Sequence, residues 1–117
     1  MVCDLSRPAN VSAATAAQRP DVLVIDGGVI AAPGNPYLGN WGLGHGLAFA
    51  CMAETMMLAL EDRLENTSLG VDLRQETLRY FQSAAKRHGF AVARLRSFGK
   101  ILSDADWSLL VAARKSA

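Results

Sequence analysis

Two cysteines, two histidines, a net charge of +1 and no long apolar run leave this 117-residue chain short of most features that announce a function. Cys3 and Cys51 show no framework spacing, which argues against a disulfide scaffold. With only His45 and His88 beside them, they also show no metal-ligand spacing. Twelve basic residues against eleven acidic ones create no global field for nucleic acid or an anionic membrane. The longest apolar stretch, Gly46 to Leu60, is interrupted by Glu54 and falls short of the roughly 18 residues a spanning helix needs. Met1 to Asp4 lack the basic-then-apolar pattern of a signal peptide, so a reduced, cytoplasmic protein is expected. The Asn66-Thr67-Ser68 triplet is then a chance match to a glycosylation acceptor.

What is present is an ordinary globular balance, 50% hydrophobic and 20% charged, in a length suited to one domain. Val2-Cys3-Asp4 reads as the tail of a strand. Ser12 is placed to cap a short alanine-rich helix that Arg19-Pro20 stops. Asp21 to Gly28 contains the clearest strand, an apolar and mostly β-branched run ending at a Gly pair, as in a parallel sheet buried on both faces. Val29 to Ala32 continues as a second short strand, and residues 33–46 form a loop rich in Pro, Gly and Asn. The next element is expected as a buried helix over 46–63, apolar almost all round. Asp72 and Gln75 then form a capping box for a helix over 72–88, with Gly89 as its left-handed stop. Phe90 to Leu95 suits a short strand. Ser103 caps a last helix over 104–114, with Trp107, Leu110 and Val111 facing inward. Alternating strands and helices point to α/β.

Two of these runs resemble a known family. Pro20 to Gly28 is similar to the late Rossmann strand and Gly-Gly turn of long-chain acyl-carrier-protein reductases and the predicted amino-acid dehydrogenases related to them. Phe49-Ala50-Cys51-Met52-Ala53-Glu54, followed by Leu58-Ala59-Leu60-Glu61, resembles that family's Cys-centred helix. Lys86-Arg87-His88-Gly89-Phe90 resembles the run that follows it. A more distant likeness reaches shikimate dehydrogenases, whose corresponding helix carries a substrate-binding Gln where Cys51 stands. The resemblance implies a partial Rossmann-like domain, the C-terminal half of a nicotinamide-binding fold, with NADP or NAD as cofactor. It further implies that Cys51 takes an acyl group from a thioester and that hydride reduces it to an aldehyde. In the family the phosphate-gripping Gly-rich turn lies upstream of Val22, and it is absent from this chain. The expectation is therefore an oxidoreductase portion that is inactive without a complementing half.

The residues support this chemistry to different degrees. A thiol near a helix start feels the positive end of the macrodipole, and thiolate is what an acyl-transfer nucleophile requires. The competing reading makes Cys51 a small hydrophobe in a buried helix. Glu54, three residues on, shares its face and is a candidate to orient the thiol or accept a proton, unless it simply pairs with a nearby Arg or backbone donor at the core edge. His45 is a candidate base for Cys51, against the plainer reading of a solvent-exposed loop histidine. Asp26, Gly27 and Gly28 sit at the carboxyl end of a strand, where open α/β sheets bind cofactors; the alternative is a tight turn and nothing more. Gly42-Leu43-Gly44-His45-Gly46 lacks the dinucleotide spacing and reads instead as a substrate loop opening a helix. Lys86, Arg87, Arg94, Arg96 and Lys100 suit an acidic acyl carrier protein, or merely a solvated face. Two further readings stand beside the reductase. One is a non-catalytic module that self-associates or docks through exposed sheet edge and apolar surface. The other is a polyol or amino-acid dehydrogenase with Cys51 lining its pocket.

Overall fold

The computed structural model describes residues 1–68 and 72–116. It is a mixed α/β structure in which strands and helices gather into two compact units, residues 1–28 with 94–117 and residues 29–93.

In the first unit, β1 (Val2–Asp4) and β2 (Val24–Asp26) form a parallel pair in the register Val2 to Val24 and Asp4 to Asp26. Both were legible from their apolar runs. Between them lies α1 (Ala13–Ala17), where the Ser12 hydroxyl accepts the Thr15 N–H at 3.0 Å, as a capping serine should. The turn back from β1 is organised by Asp4, which is 7% exposed. Its carboxylate accepts the N–H groups of Ser6, Asn10 and Val11 at 2.8–3.0 Å. A buried carboxylate is tolerated when backbone donors surround it in this way. Further along, β6 (Arg96–Ser97) and β7 (Lys100–Ile101) form a tight hairpin. Its two loop residues, Phe98 and Gly99, both have positive φ, the geometry that matches strand twist. Ser97 Oγ donates to the Val24 carbonyl at 2.7 Å, fastening the hairpin to β2. The sequence reading did not anticipate this hairpin.

The helix α4 (Asp104–Ser116) closes the unit. Ser103 and Asp106 cap it reciprocally: Ser103 N–H and Oγ donate to Asp106 Oδ2, and Asp106 N–H donates to Ser103 Oγ. Trp107 and Val111, expected to face inward, are 46% and 39% exposed. The spacing correctly grouped them on one face; it could not say whether anything packs there.

In the second unit β3 (Val29–Ala31) is the central strand, antiparallel to β4 (Leu47–Phe49) on one side and to β5 (Ala91–Val92) on the other. The loop over 33–46 is thus the tip of a long β3–β4 hairpin, closed by Ala32 N–H to the Gly46 carbonyl at 2.8 Å. A single parallel sheet around the Gly27-Gly28 turn does not form, and the strand after that turn pairs antiparallel.

The helix expected over 46–63 is corrected here. Its first residues are strand β4, and α2 runs only over Ala50–Leu60. Leu47-Ala48-Phe49 alternates, and fully buried Ala48 lies opposite Ile30, so a cross-strand partner wins over helical continuation. Nor is α2 buried all round. Ala53 and Met57 are its buried residues, while Cys51, Thr55, Ala59 and Leu60 face outward. The third helix, α3 (Gln75–His88), begins at Arg74 with no side-chain cap, so the Asp72 capping box does not form. Its end is as expected. Gly89 adopts φ 81° and Phe90 N–H reaches back to the Ala85 carbonyl at 2.9 Å. The core of this unit is Ala32, Ala48, Ala53, Met57, Ala84 and Phe90. It is built mainly from small residues, which let α2 and α3 approach the sheet and one another closely.

Among the described residues no helix is long and apolar enough to cross a membrane.

Candidate functional site

Because β4 occupies residues 47–49, Cys51 lies in the first turn of α2, nearer the helix start than a helix from Gly46 would place it. Its side chain is exposed. It opens onto a shallow recess of about 220 Å³ lined by Cys51, Glu54, Thr55, Leu58 and the segment Glu65 to Ser68. Of the three residues expected to do chemistry in this unit, the recess gathers Cys51 and Glu54. Glu54 Oε1 accepts hydroxyl donations from Thr67 and from Ser68, each at 2.7 Å. Glu54 therefore fastens the segment after α2 back onto the helix, through hydroxyls and not through the Arg or backbone donor weighed for it. Thr67 and Ser68 were not anticipated as partners. They stand far from Glu54 in sequence, and only the chain reversal after α2 brings them there.

His45 sits in the β3–β4 hairpin loop with its ring against Tyr37, centroids 5.0 Å apart. The glycine-rich run around it leads into strand β4 and not into a helix, so no helix N-terminus follows it to greet an anion.

A second open cleft, about 400 Å³, runs beside the recess and is lined chiefly by Arg63, Glu65, Asp72, Arg74, Glu76 and Thr77. Four of its charges form two pairs. Arg63 pairs with Glu65 and lies 4.1 Å over the Tyr80 ring, and Arg74 faces Glu76 at 3.9 Å. At the C-terminal ends of α2 and α3 Glu61 receives Arg87 through both oxygens, at 3.1 and 2.7 Å, and His88 Nε2 at 2.6 Å. Hydrogen bonds from Arg87 first, then from His88, hold the Glu61 carboxyl below its ordinary pKa. The Lys86-to-Phe90 run, read for its family likeness, thus locks α3 to the end of α2.

Asp26, Gly27 and Gly28 belong to the other unit. The Asp26 carboxylate accepts the N–H groups of Phe98 and Gly99 at 3.2 and 2.7 Å, so it holds the tip of the β6–β7 hairpin. A Cβ on Gly27 would lie 2.6 Å from Cys3 Sγ and 2.6 Å from a Leu5 methyl, and Gly27 N–H donates to the Asp4 carbonyl at 2.8 Å. The space a nicotinamide ring would need beside this glycine is filled by β1 and the residue after it.

Comparison with known proteins bears on the chemistry as well. The chain is 38% identical over 100 residues to the aminotransferase PigE of Serratia sp. (strain ATCC 39006). The match covers 83% of this chain and 12% of that protein. No known protein-family profile matches the chain, and no solved structure matches it. This likeness overturns the reading of an acyl-thioester reductase that carries its acyl group on Cys51. The similar protein bears the name of a different enzyme class, a transferase of amino groups. The NADP-dependent oxidoreductase assignment and the acyl-carrier-protein reductase family fall with it. The short runs around Val22, Cys51 and His88 suggested that family. They are occupied by strand pairing, the Glu54 clasp and the Glu61 lock.

Proposed function

We propose that this chain is a folded accessory segment of an aminotransferase-related enzyme, and that amino-group transfer takes place outside it. The observation that carries the reading is the setting of the lysines. Lys86, Lys100 and Lys115 are all exposed. A lysine that forms Schiff bases with carbonyl compounds is activated by desolvation or by a neighbouring cation in a sheltered site. None of the three has such a shelter. Four acidic groups lend further support, because they engage the chain's own backbone or neighbours. Asp4 organises the turn after β1, Asp26 the β6–β7 hairpin, Glu54 the segment after α2, and Glu61 the end of α3. The span of the likeness, most of this chain but a small share of the relative, fits a part within a larger whole.

The test is amino transfer from an amino-acid donor to a keto-acid acceptor, measured on the 117-residue chain, and, in separate samples, borohydride reduction to trap any Schiff base formed with an added carbonyl compound. The expected result is no turnover and no reduced adduct on any lysine. Turnover by this chain, or a single lysine trapped in preference to the others, overturns the reading.

A further inference from the structure

The last helix carries a face that nothing above explains. Positions 104, 107, 108, 111 and 115 recur in steps of three and four residues and so share one side of α4. They are Asp104, Trp107, Ser108, Val111 and Lys115, an acidic end, a largely apolar middle and a basic end. Asp104 and Lys115 are exposed, and Trp107 and Val111 stand as open as given above. At 1.5 Å per residue the helix is about 20 Å long.

Turned through a half circle and laid against itself, this face is its own complement. Around a two-fold axis between positions 109 and 110, Asp104 of one copy meets Lys115 of the other. On one flank of the contact Trp107 of each copy lies against Val111 of the other. A two-fold contact makes every such pairing twice. Parallel pairing would set like charges together, and a partner of a single charge sign would leave one end opposed. We propose that α4 pairs antiparallel with α4 of a second copy of this chain to form a two-fold dimer. One helix face per copy lies at the low end of interface sizes, so the dimer is weak, with a dissociation constant on the order of 100 µM.

Sedimentation equilibrium of the 117-residue chain, from about 10 µM to about 1 mM, reads the association directly. The mass is expected to rise from monomer towards dimer and to do so less at high salt. Asp104→Lys gives both ends of the face positive charge, and Lys115→Asp gives both ends negative charge. Each variant alone is expected to self-associate about fivefold or more weakly. An equimolar mixture of the two regains association, because opposite charges then meet at both ends. Circular dichroism of each variant checks that the helix persists, and recovery in the mixture separates lost pairing from lost folding. A monomer at every concentration overturns the proposal. So do variants that dimerise like the parent, or a mixture no tighter than its components. Protection of Trp107 only within a longer polypeptide would assign the face to that polypeptide instead, and would equally overturn it.

Discussion

Gly27→Ala separates a glycine kept small for a ligand from one kept small by its own fold. The added Cβ would come within 2.6 Å of Cys3 Sγ and of a Leu5 methyl. Gly27 is not among the positive-φ residues, so alanine carries no backbone strain there. Two opposed effects then set the outcome. Replacing glycine with alanine at a compatible position stabilises by about 0.4–1 kcal/mol, because the unfolded chain has fewer states to lose. Overfilling a packed site costs about 1–3 kcal/mol. Leu5 is 69% exposed and can swing partly away, which places the cost towards the lower part of that range. The net expectation is a loss of about 1 kcal/mol, a fall of about 0.5 M in the urea midpoint for a small chain. In a Cys3→Ala/Leu5→Ala background the obstructing atoms are gone and only the unfolded-state gain remains. There Gly27→Ala should stabilise by about 0.5 kcal/mol. Urea unfolding of the four proteins measures both differences, with hydrogen exchange of the Gly27 amide as a local readout. A change of sign between backgrounds is expected. The same sign and size in both would refute the packing account and return Gly27 to the search for a bound ligand.

Two further outcomes are expected. Met57→Ala removes one of the two buried side chains of α2 and should cost about 2–5 kcal/mol in unfolding free energy, read by thermal or urea melts. A loss below about 0.5 kcal/mol would mean that α2 is not held by that core. The second concerns acid. Backbone N–H donation, from Val11 first and then Ser6, lowers the Asp4 pKa below its ordinary value. A carboxyl depressed in the folded state contributes stability above its unfolded pKa, and that contribution is lost as the pH falls through the folded value. Asp21, Glu61 and Asp106 shift in the same direction, so unfolding on acidification should steepen below the ordinary carboxyl range. Asp4→Asn should flatten the slope by up to one proton's worth; an unchanged slope would show that the turn after β1 does not depend on the carboxylate charge.

The local elements were legible to the extent that a short stretch of chain decides them. The apolar runs at Val2 to Asp4 and Val22 to Asp26, the Ser12 cap, the loop over 33–46 and the Gly89 stop all depend on neighbouring residues alone. The misread positions depend on distant ones. Leu47-Ala48-Phe49 has helix-compatible residues but becomes strand, because β3 offers it a partner. Asp72 and Gln75 have the spacing of a capping box, yet α3 begins at Gln75 itself, with Arg74 and not Asp72 in the cap position. The β6–β7 hairpin went unread, since its strands are short and half polar, and the groups that hold it are Asp26 and the Val24 carbonyl far upstream.

The candidate site divides in the same way. Residue type and spacing put forward Cys51, Glu54, His45 and the Asp26–Gly28 turn as candidates, because the chemistry a group could do is set by its own type and near neighbours. Whether such a group is available for chemistry depends on what faces it. For Glu54 it is the hydroxyls of Thr67 and Ser68, for Asp26 the amides of a hairpin, and for Gly27 the side chains of Cys3 and Leu5. Those neighbours come from 13 to 73 residues away for the two carboxylates. Hydrogen bonds and steric exclusion act over a few ångströms in space and are indifferent to separation along the chain. The sequence by itself therefore determined which residues were capable of reacting. Only the tertiary arrangement decided which of them were already engaged in holding the fold.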